Sequence, residues 1–261
     1  MREQRLVFGE VAERYDRHRP SYPDELIDDL GSLAGLDGTA SVLEVGSGTG
    51  KATRMFAARG IRVLGIEPDA AMAALARRNT TDYANVELVE TDFEAWDPRG
   101  RTFPLVFSAQ AWHWVDPAVG YAKVREVLSP RGLLAPFWNR FAWERSELRE
   151  AMAEAYLRAA PGLTRAGGMH PVNLDPDADA GWEGNIAAVP GLGEAEVRNY
   201  EWDHTFSTGD YVGLLDTTSD VRLLDPSTRE RLLTAVAAVI DGHGGEVRIR
   251  MRTLLCLARR L

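Results

Sequence analysis

Cysteine and lysine are nearly missing from this sequence. The one cysteine in 261 residues, Cys256, lies in the apolar run TLLCLARR. Alone it forms no intrachain disulfide and no multi-cysteine metal site, and it reads as a small buried hydrophobe. Of 30 basic residues only Lys51 and Lys123 are lysine, a bias read as genome composition without functional weight. Positive charge as a whole is short. The formal net charge is −9, which argues against broad binding to nucleic-acid phosphates, because that needs a basic face. No apolar run approaches the roughly 20 residues of a membrane span. The N-terminal stretch MREQRLVFGEVAERYDRHRP lacks the apolar core of a signal peptide. Internal repeats and low-complexity segments are also missing. The expectation is a soluble, cytoplasmic chain that engages neither membrane nor nucleic acid.

What is present is ordinary globular material, 45% hydrophobic and 26% charged, enough to bury a real core. Ser21 can cap a helix that Pro23 opens and that carries Leu26, Ile27, Leu30 and Leu33 on one face. Short apolar strands follow at 41–45, 61–67, 86–91, 103–109 and 132–138, separated by helical stretches. One of these, KATRMFAARG, is stopped by Gly60. Another begins at Asp69, and a third has Asp116 as cap and Pro117 in its first turn. Apolar strands alternating with helices mean a parallel sheet covered on both faces, a doubly wound α/β fold. After Trp138 the rhythm breaks into a helix over 143–160 and an irregular, Gly- and Pro-rich stretch to 195. An alternating strand (194–206), helices at 208–224 and 226–241, and a last strand (246–260) close the chain. The tight turn DGHGG before that strand makes it antiparallel to the rest of a seven-stranded sheet. The division expected within this single domain is an N-terminal lid (1–35), a core (36–140), a helical and irregular cap insertion (141–193) and a sheet-completing C-terminal part (194–261).

The stretch EVGSGTGKAT, Glu44 to Thr53, carries the chemistry. A P-loop needs four residues between its glycines and then Lys and Ser or Thr. Here Gly46 and Gly50 enclose three, and Ala52 stands where the hydroxyl should be. A dinucleotide fingerprint needs its third glycine at position 51, which is Lys51. What remains is G-x-G-x-G after a strand whose acidic residue is Glu44. No tyrosine is followed four residues later by lysine, as a short-chain oxidoreductase would require. Gly48 occupies the serine position of a nucleophile elbow.

LEVGSGTG resembles the first motif of the class I S-adenosylmethionine-dependent methyltransferases, and the resemblance extends over roughly residues 1–140. FGEVAERYDRHRPSYP and QAWHWVD further resemble a bacterial and fungal small-molecule group that includes enzymes acting on trans-aconitate. The resemblance implies S-adenosyl-L-methionine as cofactor and transfer of its methyl group to a small-molecule carboxylate, hydroxyl or amine by in-line displacement. Gly46, Ser47, Gly48 and Gly50 would let the cofactor lie on the backbone, beside Glu44. Glu67 would accept the ribose hydroxyls, flanked by Ile66 and Pro68. Asp92 would accept from the adenine amino group, and Phe93 would cover the ring. Gln110 and Ala111 would line the sulfonium. Tyr15 and Arg19 would close as a lid, with the Arg19 fork suited to a carboxylate.

The acceptor pocket is expected from Tyr22, Trp112, His113, Trp138 and Trp143, with Met152, Tyr156, Met169, His170 and Trp182 in the insertion. These could equally be a packed subdomain core or a homodimer contact. His113 is the candidate base, though a carboxylate acceptor needs none. No metal is called for, and the histidines show no ligand spacing. The motif N/D-P-P-Y/F of nucleic-acid methyltransferases is missing after the fourth strand, where AQAWHW stands. The alternatives are a non-catalytic S-adenosylmethionine-binding protein and, further off, an NAD-dependent oxidoreductase.

Overall fold

A computed structural model describes residues 9–165, 170–172, 186 and 189–261. Met169 and Trp182 lie outside the described residues. The helices are α1 (Ala12–His18), α2 (Asp24–Leu33), α3 (Lys51–Ala57), α4 (Ala70–Asn79), α5 (Pro117–Val127), α6 (Glu147–Ala159), α7 (Thr208–Leu215), α8 (Ser219–Arg222) and α9 (Pro226–Gly242). The strands are β1 (Ser41–Val45), β2 (Arg62–Glu67), β3 (Val86–Glu90), β4 (Phe103–Ala109), β5 (Leu128–Ala142), β6 (Glu196–Ser207) and β7 (Glu246–Arg259). They form one mixed sheet in the order β3-β2-β1-β4-β5-β7-β6, with the last strand antiparallel. Among the described residues the chain divides into two compact units. One lies within Ser21–Asn139, Gly181–Tyr200 and Thr253–Leu261; the other lies within Met1–Pro20, Arg140–Ala180 and Glu201–Arg252.

The first, the glycine-loop unit, contains the parallel strands. Val45 pairs with Ile66, Leu43 with Val106 and Phe107 with Ala135. Because side chains alternate along a strand, each strand feeds two cores. Leu43, Val45, Leu64, Ile66 and Val106 face one side with Val124 and Val127 of α5. Val42, Val63, Leu105 and Phe107 face the other with Leu26, Ile27 and Leu30 of α2 and Phe56 of α3. Cys256 is fully buried in the first of these cores. The chain leaves β1 in one direction along the sheet and β4 in the other, so the carboxyl ends of these neighbours form the switch point at which open α/β sheets bind ligands. The second, the α9 unit, has its own core, in which Tyr156, Tyr211, Leu232, Val236, Ile240 and Met251 are buried together.

Three sequence expectations are corrected. Ser21 does not cap α2: the cap position is Pro23, with no side-chain hydrogen bond, while the Ser21 hydroxyl turns to the Met55 sulfur. The fifth strand starts at Leu128, not 132. The chain re-enters the sheet through a register shift opposite Phe103–Leu105, with Arg131 at φ +61°, an irregularity that hides the strand's first residues behind Pro130 and Gly132. The helix expected over 208–224 breaks at Asp216–Thr218. There the Thr217 and Thr218 hydroxyls return to the carbonyls of Leu214 and Leu215 and compete with helix continuation.

Candidate cofactor and active site

The loop after β1 is built by positive φ. Gly46, Gly48 and Gly50 lie at +75°, +56° and +80°, a region that costs any other residue about 1–2 kcal/mol. At Gly46 there is also no room: a Cβ would sit 2.4 Å from the Ala111 Cβ. At Gly48 the nearest atom to such a carbon is 3.8 Å away, so the loop's crest is open. The loop is held from below. The Gly46 and Ser47 amides donate to the Ile66 carbonyl at 2.8 and 3.0 Å, and the Asn79 side chain donates to the Thr49 carbonyl at 2.9 Å.

Glu67, at the end of β2, is clipped to this loop. Its Oε2 accepts from the Gly48 amide at 2.8 Å and its Oε1 from the Asp69 amide at 3.0 Å. Asp69 in turn caps α4 through the Ala71 and Met72 amides. Pro68 sits between these two anchored residues. Glu44 lies beneath the loop, 1% exposed, and accepts from the Thr53 hydroxyl. Burial pushes its carboxyl up to about 8, the Thr53 bond opposes that rise, and the charge of Glu67 adds to it. A side chain so withdrawn supports the loop from inside. Ser47 is buried too, and its hydroxyl has no partner among the protein atoms.

Asp92 follows β3 and turns the chain, its carbonyl accepting from the Ala95 and Trp96 amides. Phe93 is 3% exposed and packs between Trp96 and Trp112, with ring centroids at 6.5 and 6.3 Å. The expected cover for a ligand ring is thus a core residue. Trp112 is likewise core at 2%, with its indole nitrogen donating to the Tyr121 hydroxyl at 3.4 Å. Gln110, just past β4, holds φ +61°, a sparsely populated conformation for a side-chain-bearing residue and a hint of function. Its amide nitrogen reaches the Asn139 carbonyl at 3.4 Å. Ala111 abuts Gly46, which brings the β1 and β4 loops together.

His113 faces Trp138. The Trp138 indole N–H donates to the His113 Nδ1 at 3.2 Å. Nδ1 is therefore an acceptor, and the proton of the neutral ring sits on Nε2. That tautomer donates a hydrogen bond from Nε2 and offers no lone pair there to remove a proton. Tyr22 meets Phe137 edge-on at 4.9 Å. Asn139 joins this region without a sequence signal. It is 5% exposed, donates to the Ser21 carbonyl at 2.8 Å and accepts from the Thr253 hydroxyl at 2.6 Å. No spacing signal could have found it, since its partners lie 118 and 114 positions away.

Tyr15, Arg19 and Trp143 belong to the α9 unit. The Arg19 guanidinium donates to the Thr217 hydroxyl and carbonyl at 2.9 and 3.0 Å and lies over the Tyr15 ring at 5.0 Å. Trp143 packs with Phe141 and Tyr211. Among the described residues no three His, Cys, Asp or Glu side chains gather as metal ligands would, and no helix is long and apolar enough to cross a membrane.

Residues 42–132 match the family described as a methyltransferase domain. An uncharacterized methyltransferase of Mycobacterium tuberculosis is 37% identical over 153 residues, which cover 55% of this chain and 58% of the relative. The match thus spans little more than half of that relative's length. A solved chain from Anaeromyxobacter dehalogenans, named only provisionally as a type II methyltransferase, superposes with a TM-score of 0.62 at 21% identity, covering 93% of this chain and 97% of that one. Haemonchus contortus phosphoethanolamine N-methyltransferase 2, solved with phosphomonomethylethanolamine and S-adenosylhomocysteine, superposes with a TM-score of 0.54 at 15% identity over 95% of this chain and 56% of that one. At these identities the two structures share the fold.

Proposed function

We propose, from the methyltransferase domain over residues 42–132, that this chain is an S-adenosylmethionine-dependent methyltransferase acting on a small-molecule acceptor. The observation that carries this reading is the glycine loop itself. Three left-handed glycines and an open crest at Gly48 make a surface on which a ligand can rest. Glu67, anchored at the end of β2 by two backbone amides, would accept ribose hydroxyls. Pro68 flanks it, and Asp92, just past β3, would accept from an exocyclic amine. Ala111 lies against Gly46 from the β4 side, with Gln110 just before it. Bound there, S-adenosylmethionine supplies an activated methyl group, so the protein's share of the work is position and orientation.

His113 then acts as a hydrogen-bond donor that orients the acceptor, and it takes no proton. This favours an acceptor that attacks without losing a proton, a carboxylate first. It agrees with the resemblance of FGEVAERYDRHRPSYP and QAWHWVD to the group that includes trans-aconitate methyltransferases. The test is mass-spectrometric screening of carboxylic, hydroxyl and amine acceptors with isotopically labelled methyl donor. Label appearing as methyl ester supports the reading. Label only on amines or hydroxyls would remove the carboxylate preference, and no transfer to any class, with the cofactor bound, would leave a binding protein.

A further inference from the structure

Lysine is so rare here that its position can be asked to explain itself. Lys123, on α5, has its ammonium in hydrogen-bond reach of three backbone carbonyls of one turn. The distances are 3.0 Å to Phe93, 2.7 Å to Glu94 and 2.5 Å to Trp96. An ammonium has three donors diverging from one atom, and all three are used. The Asp92 carbonyl is taken by the Ala95 and Trp96 amides, and three of the turn's other carbonyls point at a single cation. The same helix grips the turn a second time at its start. The Asp116 amide donates to Glu94 Oε1 at 2.8 Å, while the Asp116 carboxylate caps α5 through the Ala118 amide.

We infer that Lys123 is the positioning residue for the Asp92 turn, and through it for the adenine end of an adenosine-type cofactor. The inference rests on the cofactor reading above. It also accounts for a lysine where nearly every other basic position is arginine. A guanidinium spreads its five donors over a rigid plane and cannot converge them on three carbonyls that meet at a point. Arg101, by contrast, holds its guanidinium over the ring of the same turn's Trp96, 5.5 Å from the ring centre, where a planar cation fits. Two basic residues thus serve one turn, each with the geometry its head group allows. Lys123 touches no reacting atom. It fixes where the Asp92 carboxylate sits, and α5 ties that turn to the Trp112–His113 loop that immediately precedes the helix.

The experiment is calorimetric titration of the full chain with S-adenosylhomocysteine and with adenosine, for wild type, Lys123→Met and Lys123→Arg, with Asp92→Ala and Glu67→Ala as partners in double-mutant cycles. Losing a charged clasp should weaken both ligands by about ten- to hundredfold in Lys123→Met. Lys123→Arg should not recover more than a small part of that. The Lys123→Met loss should largely vanish when Asp92 is already alanine, and should add independently to Glu67→Ala, since only groups acting through one another are non-additive. A general loss of structure would make the Lys123→Met loss the same in the wild-type, Asp92→Ala and Glu67→Ala backgrounds. Lys123→Met affinity within twofold of wild type, full rescue by arginine, or additivity with Asp92→Ala each overturns the inference. Should Lys123→Met not fold, Lys123→Arg decides alone, wild-type affinity counting against. Wild type that binds neither ligand would sink the cofactor reading and this inference together. Wild type that binds, with variants that bind as well, sinks only this one.

Discussion

Gly46 and Gly48 share a backbone conformation but not a neighbourhood, which separates the cost of folding from the cost of binding. Alanine at 46 must displace Ala111, 2.4 Å from its Cβ, in addition to holding a left-handed φ. It should destabilise the protein by about 3 kcal/mol or more. Alanine at 48 meets nothing nearer than 3.8 Å and should cost only about 1–2 kcal/mol, yet its methyl stands where the cofactor would lie. Denaturant melts should therefore rank Gly46→Ala as the worse folder, and calorimetry should show that folded Gly48→Ala has lost S-adenosylhomocysteine. Equal stability for the two, or an intact site in Gly48→Ala, would contradict the loop geometry. His113 offers a second contrast. With Nδ1 held by Trp138, glutamine at 113 keeps a donor and should cost less than about tenfold in turnover. Phenylalanine removes the donor and should cost more, since a positioned proton acceptor is typically worth about 10²–10⁴-fold and an orienting bond less. A loss of that larger size in His113→Gln, with acceptor KM unchanged, would restore the general base.

At the scale of elements, Glu44 couples β1 to α3 and makes stability depend on pH. Its carboxyl is raised to about 8 in the folded chain, chiefly by burial, against a reference of 4.5 when unfolded. The folded state holds a proton that the unfolded state releases first. The contribution is fully present below about pH 4.5 and is lost progressively as pH rises to about 8. Glu44→Gln keeps an acceptor for Thr53 but cannot ionise, so it should flatten that fall by about a few kcal/mol. Urea melts at pH 5 and pH 8 would read this directly, and an unchanged slope in the variant would place the proton elsewhere. The same elements show what was legible in the sequence. Strands such as 41–45 and 103–109 are short apolar runs bounded by turn residues, and the fold keeps them. Capping by Asp69 and Asp116 is local and survives as read. Ser21 failed because a tertiary partner, the Met55 sulfur, took its hydroxyl. Leu128–Arg131 failed because a register shift has no periodic signature. Around the glycine loop, the left-handed turns at Gly46, Gly48 and Gly50 and the strand-end position of Glu67 were legible, since spacing sets them. The burial of Phe93 and Trp112 was not legible, because an aromatic at a strand end reads alike whether it faces a ligand or the core. Asn139 and Lys123 work through partners distant in sequence, and pattern alone does not reach them.

At the scale of the whole molecule, two cores and one glycine loop lead to an asymmetric expectation for ligand binding. The loop residues, Glu67, the Asp92 turn and His113 all belong to the glycine-loop unit, with its two apolar layers on the sheet. The α9 unit is stabilised by its own buried cluster and by ion pairs of its own, such as Arg14 with Asp216. A ligand that binds only the folded state stabilises it by RT ln(1 + [L]/Kd), about 2.7 kcal/mol at a hundred times Kd. That energy acts first on the local openings its contacts prevent. Saturating S-adenosylhomocysteine should therefore slow amide exchange most at Gly46–Gly50, at Asp69 and across the Asp92–Trp96 turn. In α6 and α9, whose amides are already paired within helices that pack on the separate core, it should change exchange little. NAD at the same concentration should protect none of these, because Lys51 replaces the third glycine of a dinucleotide loop. Hydrogen–deuterium exchange with peptide resolution tests all three statements in one titration. Protection concentrated in α6 and α9 would move the cofactor site to the other unit, and protection by NAD would favour the oxidoreductase alternative that the glycine spacing argues against.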